Sequence, residues 1–352
     1  MKKKTKKLLV DIVNSVSPTG YEKATQAVYA KYMEPVADEI RRDSHGNTIA
    51  VRNPKGKPRV MFAGHCDELG FQIHFVDDDG FLYFQPLGGH DESIVPGRRV
   101  TIHTAKGPVP GVIGKKAVHL MDAEERKKAA RIRELWIDVG AKNRERALEL
   151  VDIGDPVTYN ETFAELDGGI AAARGFDDKI GVFVVAHALQ LLDGKDIKAG
   201  VFGVSTVQEE IGLRGAHTSA FGIDPQVGIA VDVTNASDHP TVDSKTVGEV
   251  KLGAGPVITR GPNINPKVFE LLVTAAKNHK IPYQVKAANR GTGTDANAIQ
   301  LTRAGVATGL VSIPNRYMHT PAELVSLDDA ENAAKLLAQF VLALSGREDW
   351  TP

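Results

Sequence analysis

Five short segments concentrate histidine and carboxylate side chains: Gly64-His65-Cys66-Asp67-Glu68, Gly175-Phe176-Asp177-Asp178-Lys179, Gln208-Glu209-Glu210-Ile211-Gly212, Val231-Asp232-Val233 and Tyr317-Met318-His319-Thr320-Pro321. Each follows or ends a run that reads as a β-strand. Imidazoles and carboxylates together form the ligand set of zinc, cobalt or manganese held by nitrogen and oxygen. Two ions need more ligands than one, and a shared carboxylate between them. Such ions sit about 3.5–4 Å apart and clamp a bridging water as hydroxide. In that scheme Asp177 is the candidate bridge. His65 and Asp232 complete one ion, Glu210 and His319 the other. Neighbouring side chains on a loop point different ways, so Glu209 is left free beside Glu210 to serve as general base. Asp67, two residues beyond His65, suits a carboxylate that takes the other imidazole proton and orients the ring.

Taken singly, each segment has a plainer reading. His65-Cys66-Asp67 could be a loop hydrogen bond, Glu209-Glu210 a solvated helix start, Asp177-Asp178 a helix cap and His319 a turn residue. Their joint occurrence at strand ends is what argues for a metal centre. Other candidates lack support. Cys66 has no pattern around it that would make it a ligand or nucleophile. His187 sits within the apolar stretch VFVVAHALQLL and reads as a satisfied core histidine. His45, His74, His103, His217, His239 and His279 have no carboxylate at a recognisable spacing. Gly291-Thr292-Gly293-Thr294-Asp295 lacks the Gly-Lys-Ser/Thr of a phosphate cradle. Ser205 and Ser312 lack a nucleophile-elbow context.

Gathering five segments at one place requires strands that share a direction, because ligands in open α/β sheets collect at the carboxyl ends of strands. The sequence supplies them. Leu8, Leu9, Ile12 and Val16 fit one face of an N-terminal helix, and Ser17-Pro18-Thr19-Gly20 signals a turn before a second one. Residues 43–47 punctuate a hairpin, and 59–63 read as a buried strand. From about residue 165, strands at 169–174, 200–206, 227–233 and 307–313 alternate with helices. The helices are an amphipathic one at 179–192, one at 266–279, and one at 327–344 capped by Ser326. The expected fold class is α/β, a mixed and mostly parallel sheet flanked by helices.

Residues 70–160 break this alternation. FQIHFV, FLYFQPL, RRVTIHT and GPVPGVIG are short strand-like runs split by turn residues. A charged helical segment at 122–135 and a helix capped by Asn143 follow. A chain of 352 residues is long for one core. The expected domains are therefore residues 1–68 with 165–352, carrying the chemistry, and an inserted β-rich domain at 69–164.

With 43 Lys+Arg against 44 Asp+Glu, the chain has no electrostatic case for nucleic acid or an anionic membrane, and neither partner is expected. The basic N-terminus precedes an apolar stretch interrupted by Asp11 and Asn14, with no small-residue cleavage site, so a helix is expected there instead of a leader. No apolar run is long enough to span a bilayer. A single cysteine, Cys66, cannot form an intrachain disulfide and fits a reducing, cytoplasmic location.

At this point the sequence resembles the tetrahedral aminopeptidases, a co-catalytic metallopeptidase family that includes glutamyl and deblocking aminopeptidases and members labelled cellulase M. The likeness rests on SPTGYE, AGHCDELGF, LGGHDESIVPGRRV, IDVGAKNRERA, IGDPV, GFDDKIGV, VQEEIGLRGA, GTGTDA and RYMHTPAE, in family order through nearly the whole chain. The resemblance implies His65, Asp177, Glu210, Asp232 and His319 as ligands of two divalent ions, zinc or cobalt, with manganese possible. It implies a bridging Asp177, and the preference for Asp177 over Asp178 rests mainly on this pattern. It implies Glu209 as general base and Asp67 as orienter. Hydrolysis of N-terminal residues from short peptides follows. So do a PDZ-like barrel for the insertion, used in subunit contacts, and dimers assembling into a hollow homo-dodecamer. Two departures stand out: His90 falls where relatives often carry a bulky aromatic, and Cys66 occupies a variable position. The rival readings are a deacylase of N-acyl amino acids on the same scaffold, a glycosidase suggested only by the cellulase label, and a non-enzymatic peptide-binding protein. Glycosidases work with two carboxylates and no metal, and the ligand set with Glu209 speaks against a purely binding role.

Overall fold

The computed structural model describes residues 1–352. An eleven-stranded sheet forms the frame. Across it the strands run in the order Glu39–Arg42, Thr48–Arg52, Gly200–Thr206, Arg59–His65, Val227–Asn235, Ala307–Arg316, Glu323–Ser326, Ile170–Ala173 and Ala164–Glu165. Val257–Arg260 branches from Ala307–Arg316 and pairs in turn with Gln284–Ala287. The four central strands, from Gly200–Thr206 to Ala307–Arg316, are mutually parallel. They are buried along nearly their whole length, which explains their continuous apolar runs. Glu323–Ser326 is antiparallel to both its neighbours. Two reversals restore the direction, so Ile170–Ala173 points the same way as the central four. Four of the segments rich in histidine and carboxylate thus leave the sheet at one rim, and Val231-Asp232-Val233 lies in the last half of its strand toward the same rim.

Helices cover both faces. One face carries Lys3–Asn14, Phe176–Leu191, Pro266–Asn278 and Leu327–Leu342 over the largest core, and the other carries Arg214–Ile223 and Asp295–Gln300. The second core, around Phe71, Ile102 and Ile137, belongs to a separate closed six-stranded antiparallel barrel. Its strands are Gly70–Val76, Leu82–Leu87, Trp136–Asp138, Gly107–Gly114, Arg99–Thr104 and Pro156–Tyr159. Closure leaves no open edge.

Three local expectations need correction. The segment at 122–135 is not a helix; Glu125–Lys127 and Ile132–Glu134 are isolated 3₁₀ turns. Only Ile132 and Leu135 there are buried, and without an apolar stripe to pack, a short helix is not stable. The helix expected as amphipathic at 179–192 spans Phe176–Leu191 and is buried almost all round, because it lies between the sheet and the neighbouring helices. The first helix stops at Asn14, and Val13, not Val16, completes its buried face. The caps at Asn143 and Ser326 form as expected, accepting from Arg146 N–H and Asp329 N–H. His187 stacks on Phe183 with ring centroids 5.7 Å apart and is a core residue.

Candidate metal centre

His65 ends the Arg59–His65 strand and is buried. The helix opening at Phe176 packs its first turn directly on this strand. Glycine makes that approach possible: a Cβ at Gly64 would stand 2.6 Å from the Gly181 carbonyl carbon, and one at Gly181 2.2 Å from Asp178 Oδ2. Asp177 and Asp178, joined by a cis peptide, are thereby brought against His65. Asp178 turns inward, accepting from His65 N–H and Gly181 N–H, both at 3.1 Å.

Asp177 faces two imidazoles. Its Oδ1 lies 3.1 Å from His65 Nε2 and its Oδ2 3.2 Å from His319 Nε2. Glu210 Oε1 lies 3.7 Å from His319 Nε2, and Glu209 Oε2 stands 3.9 Å from His65 Nε2. The ligand atoms of His65, Asp177 and Glu210 fall within 4.8 Å of one another, and so do those of His65, Asp178 and Asp232. The structure therefore brings all the residues expected to bind metal to one rim. It also seats Asp178 beside Asp232, an alternative the residue pattern left open.

Asp67 does more than its spacing suggests. His65 Nδ1 is 3.1 Å from the Asp67 carbonyl oxygen and 3.4 Å from its carboxylate. The carboxylate itself accepts from Glu209 N–H at 3.0 Å, Glu210 N–H at 3.2 Å and the Thr19 hydroxyl at 3.0 Å. It thus fixes the loop that presents the Glu-Glu pair. Gln208, just before that pair, adopts a left-handed conformation at φ 54°, as does His319 at φ 60°. Non-glycine residues enter this region at a cost of about 1–2 kcal/mol, and such residues cluster at functional sites.

Several supporting residues lie inside the stretches that carry the resemblance, but their contacts emerge only on folding. Glu323, buried, accepts from Asp177 N–H at 2.8 Å and His319 N–H at 3.0 Å. Glu68, fully buried, pairs with Lys179 at 2.7 Å and Arg174 at 3.1 Å. Asp295 accepts from the Thr206 hydroxyl at 2.6 Å while its other oxygen has no partner. All but one of these contacts join residues distant in sequence, so spacing carries no trace of them; the exception is Glu323 with His319, four residues apart. The Thr-Pro-Ala-Glu stretch after His319 was the one available signal for Glu323.

The electrostatics call for cations. Burial and the nearby Asp232, Asp295 and Glu210 push Glu209 up to about 10 against the pull of His65. Burial and Asp177 raise Glu210 to about 7. Burial raises Asp178 and Asp232 well above the usual aspartate range. His319 rises to about 9 through its hydrogen bond to Asp177. His65 rises despite its burial, because Glu209, Asp177 and Asp67 surround it. Buried carboxylates this crowded must take up protons or a metal. Glu210 Oε1 is buried without a hydrogen-bond partner. An N/O donor set with an orphan carboxylate oxygen fits divalent metal.

The barrel also touches the site. A Cβ at Gly88 would lie 3.4 Å from Glu210 Oε2, and one at Gly89 3.7 Å from His319 Nδ1. His90 stacks on Phe71 with ring centroids 4.4 Å apart and donates to the Gly70 carbonyl at 2.8 Å. Burial pulls its pKa down to about 4, keeping it neutral.

Comparison with known proteins gives the family and the fold. The family model for M42 glutamyl aminopeptidase matches residues 46–336. A lysyl aminopeptidase of Pyrococcus furiosus is 39% identical over 98% of this chain and 99% of its own. A TET aminopeptidase from a marine sediment archaeon, Thaumarchaeota archaeon SCGC AB-539-E09, superposes with a TM-score of 0.93 at 35% identity, covering 97% and 96%. The TET1 peptidase of Pyrococcus horikoshii gives 0.86 at 30% identity over 97% and 100%, and is described as able to assemble into a tetrahedron or a large octahedral shell. A related structure holds a dodecamer, with a TM-score of 0.86 at 30% identity over 98% and 100%.

Proposed function

The chain belongs to the M42 glutamyl aminopeptidase family and is a metallo-aminopeptidase; from that premise we propose that it removes N-terminal residues from short peptides using two metal ions and Glu209 as general base. The observation that carries this reading is the two-sided placement of Asp177, one oxygen 3.1 Å from His65 and the other 3.2 Å from His319. A carboxylate so placed can serve two ions at once. His65 and Asp232 would hold one ion, Glu210 and His319 the other, with Asp177 shared. Zinc or cobalt suits these donors, and manganese accepts them too.

Bound ions would supply Lewis acidity at the scissile carbonyl and make water a competent nucleophile near neutral pH. The protein supplies the rest. Glu209 is 9% exposed; cations bound beside it would favour its ionised form, and its carboxylate would then take the water's proton and deliver it to the leaving amine. Asp67 holds Glu209 in place through its backbone N–H. Glu323 holds the backbones of Asp177 and His319, so both present their side chains without reorganising.

The inserted domain, residues 69–164, is proposed as the subunit contact of a homo-oligomer that assembles as the dodecameric relatives do. No helix is long and apolar enough to cross a membrane, and the single buried Cys66 suits a reducing, cytoplasmic setting.

The test is release of N-terminal residues from a panel of aminoacyl anilides by chelator-stripped protein, with zinc, cobalt or manganese restored. Cleavage should return with metal. Glu209→Gln should keep its metal and its assembly while kcat falls by about 10²–10⁴-fold. Unchanged turnover in that variant would remove Glu209 from the mechanism.

A further inference from the structure

A second cavity opens beside the metal centre at the same rim. It has a volume of about 450 Å³ and includes Val233, Thr234, Lys286, Arg290, Ser312 and Met318 in its lining. That is within the range of a small-molecule site. Its position is set by the candidate ligands: Val233 and Thr234 follow Asp232 on the same strand, Ser312 pairs with Asp232 across the sheet, and Met318 precedes His319. Asp232 and Thr234 lie two residues apart on a strand and so share a face. The cavity wall therefore continues directly from the metal centre.

Its charge is one-sided. No acidic residue lines it, while Lys286 and Arg290 do. Lys286 lies on Gln284–Ala287, where the burial pattern is inverted: Val285 is 49% exposed while Lys286 turns inward and is half-buried. A strand that sends its valine to solvent and its lysine inside breaks the usual alternation, and such breaks mark functional positions. The Lys286 ammonium donates to the Thr234 hydroxyl at 2.9 Å, and it enters no ion pair. Burial alone lowers its pKa, with no carboxylate near enough to oppose. A half-buried ammonium with one neutral partner is under-satisfied and is completed best by an anion.

Resting on the aminopeptidase reading above, we propose that this cavity receives the side chain of the substrate's N-terminal residue and that Lys286 selects an acidic one, glutamyl or aspartyl. A lysyl side chain entering here would meet two cations and no carboxylate. A leucyl side chain would cover Lys286 and leave its charge desolvated and unpaired. Family membership alone does not decide the point, since a relative at 39% identity is a lysyl aminopeptidase. Arg290, exposed on the loop after this strand, adds attraction at the mouth and contributes less than Lys286 because water screens it.

The experiment compares kcat/KM for glutamyl, aspartyl, leucyl and lysyl anilides, using metal-reloaded protein, in wild type, Lys286→Met, Lys286→Arg and Lys286→Glu. Wild type should favour glutamyl or aspartyl over leucyl and lysyl. Lys286→Met should lower the glutamyl-to-leucyl ratio by about 10- to 100-fold, the worth of one charge-assisted hydrogen bond. Lys286→Arg should largely keep the ratio, and Lys286→Glu should turn it toward lysyl. Competitive inhibition by free glutamate, against leucine and lysine, reads the same preference in unmodified protein if a variant fails to fold. A wild type that prefers leucyl or lysyl, or a Lys286→Met that slows every substrate alike, overturns the acidic pocket and leaves the aminopeptidase reading standing. No cleavage of any anilide with any metal would overturn both.

Discussion

Glu323 reaches back to two backbone N–H groups, and in doing so decides where two candidate ligands stand. Glutamine there keeps one acceptor and turns an amide N–H toward the other donor, so one of the two hydrogen bonds is lost. Glu323→Gln should weaken metal binding by about 10–100-fold, the usual effect of disturbing a ligand's supporting partner. Competition with a chromophoric chelator would measure this. Unchanged affinity would reduce Glu323 to a packing residue. His65, Asp177, Glu209, Glu210, Asp232 and His319 could be nominated from sequence because each is a polar residue at the end of an apolar run. The roles of Glu323 and Thr19 could not, since their partners are backbone groups or side chains brought near only by folding; Asp178 was a sequence alternative to Asp177, and only folding shows it beside Asp232. Lys286 was hidden for another reason: a lysine in a short strand normally signals a solvated face, and its inward turn appears only in three dimensions.

The Phe176–Leu191 helix shows how far an element can be read, and where reading fails. Its existence followed from a long apolar stretch. Its complete burial did not, because Lys179 within it looks like a solvent marker. That lysine is fully buried and pairs with Glu68, which also meets Arg174. Removing one partner of a buried pair leaves an uncompensated charge. Glu68→Ala should therefore destabilise the metal-free protein by about 3–5 kcal/mol in urea unfolding, and the triple variant Glu68→Met, Lys179→Met and Arg174→Met, which removes all three charges, should recover much of the loss. A second ion pair makes a prediction in pH. Asp238 is partly buried, which raises its pKa, but hydrogen bonds from Arg316 at 2.9 and 2.7 Å and from Leu252 N–H at 3.0 Å hold it below 3.8. With the folded pKa depressed, the pair's stabilisation is present above 3.8 and is lost as pH falls through the folded value. Asp238→Asn should therefore cost stability near neutrality and progressively less in acid. Urea midpoints across that range would check it, and an equal cost at every pH would contradict it. The expected helix at 122–135 failed because charged residues with good helical propensity still need a face to bury.

At the scale of the whole molecule, the sheet and the barrel meet at the chemistry. Gly88 adopts φ +81°, and a Cβ there would stand 2.3 Å from Leu69 Cδ2 as well as near Glu210. Gly88→Ala should lower kcat/KM for every anilide and loosen metal binding, although it lies in the barrel. Sedimentation of the same variant should show assembly intact. If only assembly changed, the glycine turn would belong to subunit contact and not to the metal centre. The division of the chain into a frame and an insertion was legible because strand-like runs without intervening helices interrupted a βα alternation. The insertion's contact with Glu210 and His319 was not, since glycine announces only permissiveness. One further property follows from the way the rim is assembled. Its residues are scattered from His65 to His319, on five strands that must all be in register before any of them meet. A nascent fragment ending before residue 319 therefore lacks one of the candidate ligands, so the proposed centre can be completed only once nearly the whole chain has been made.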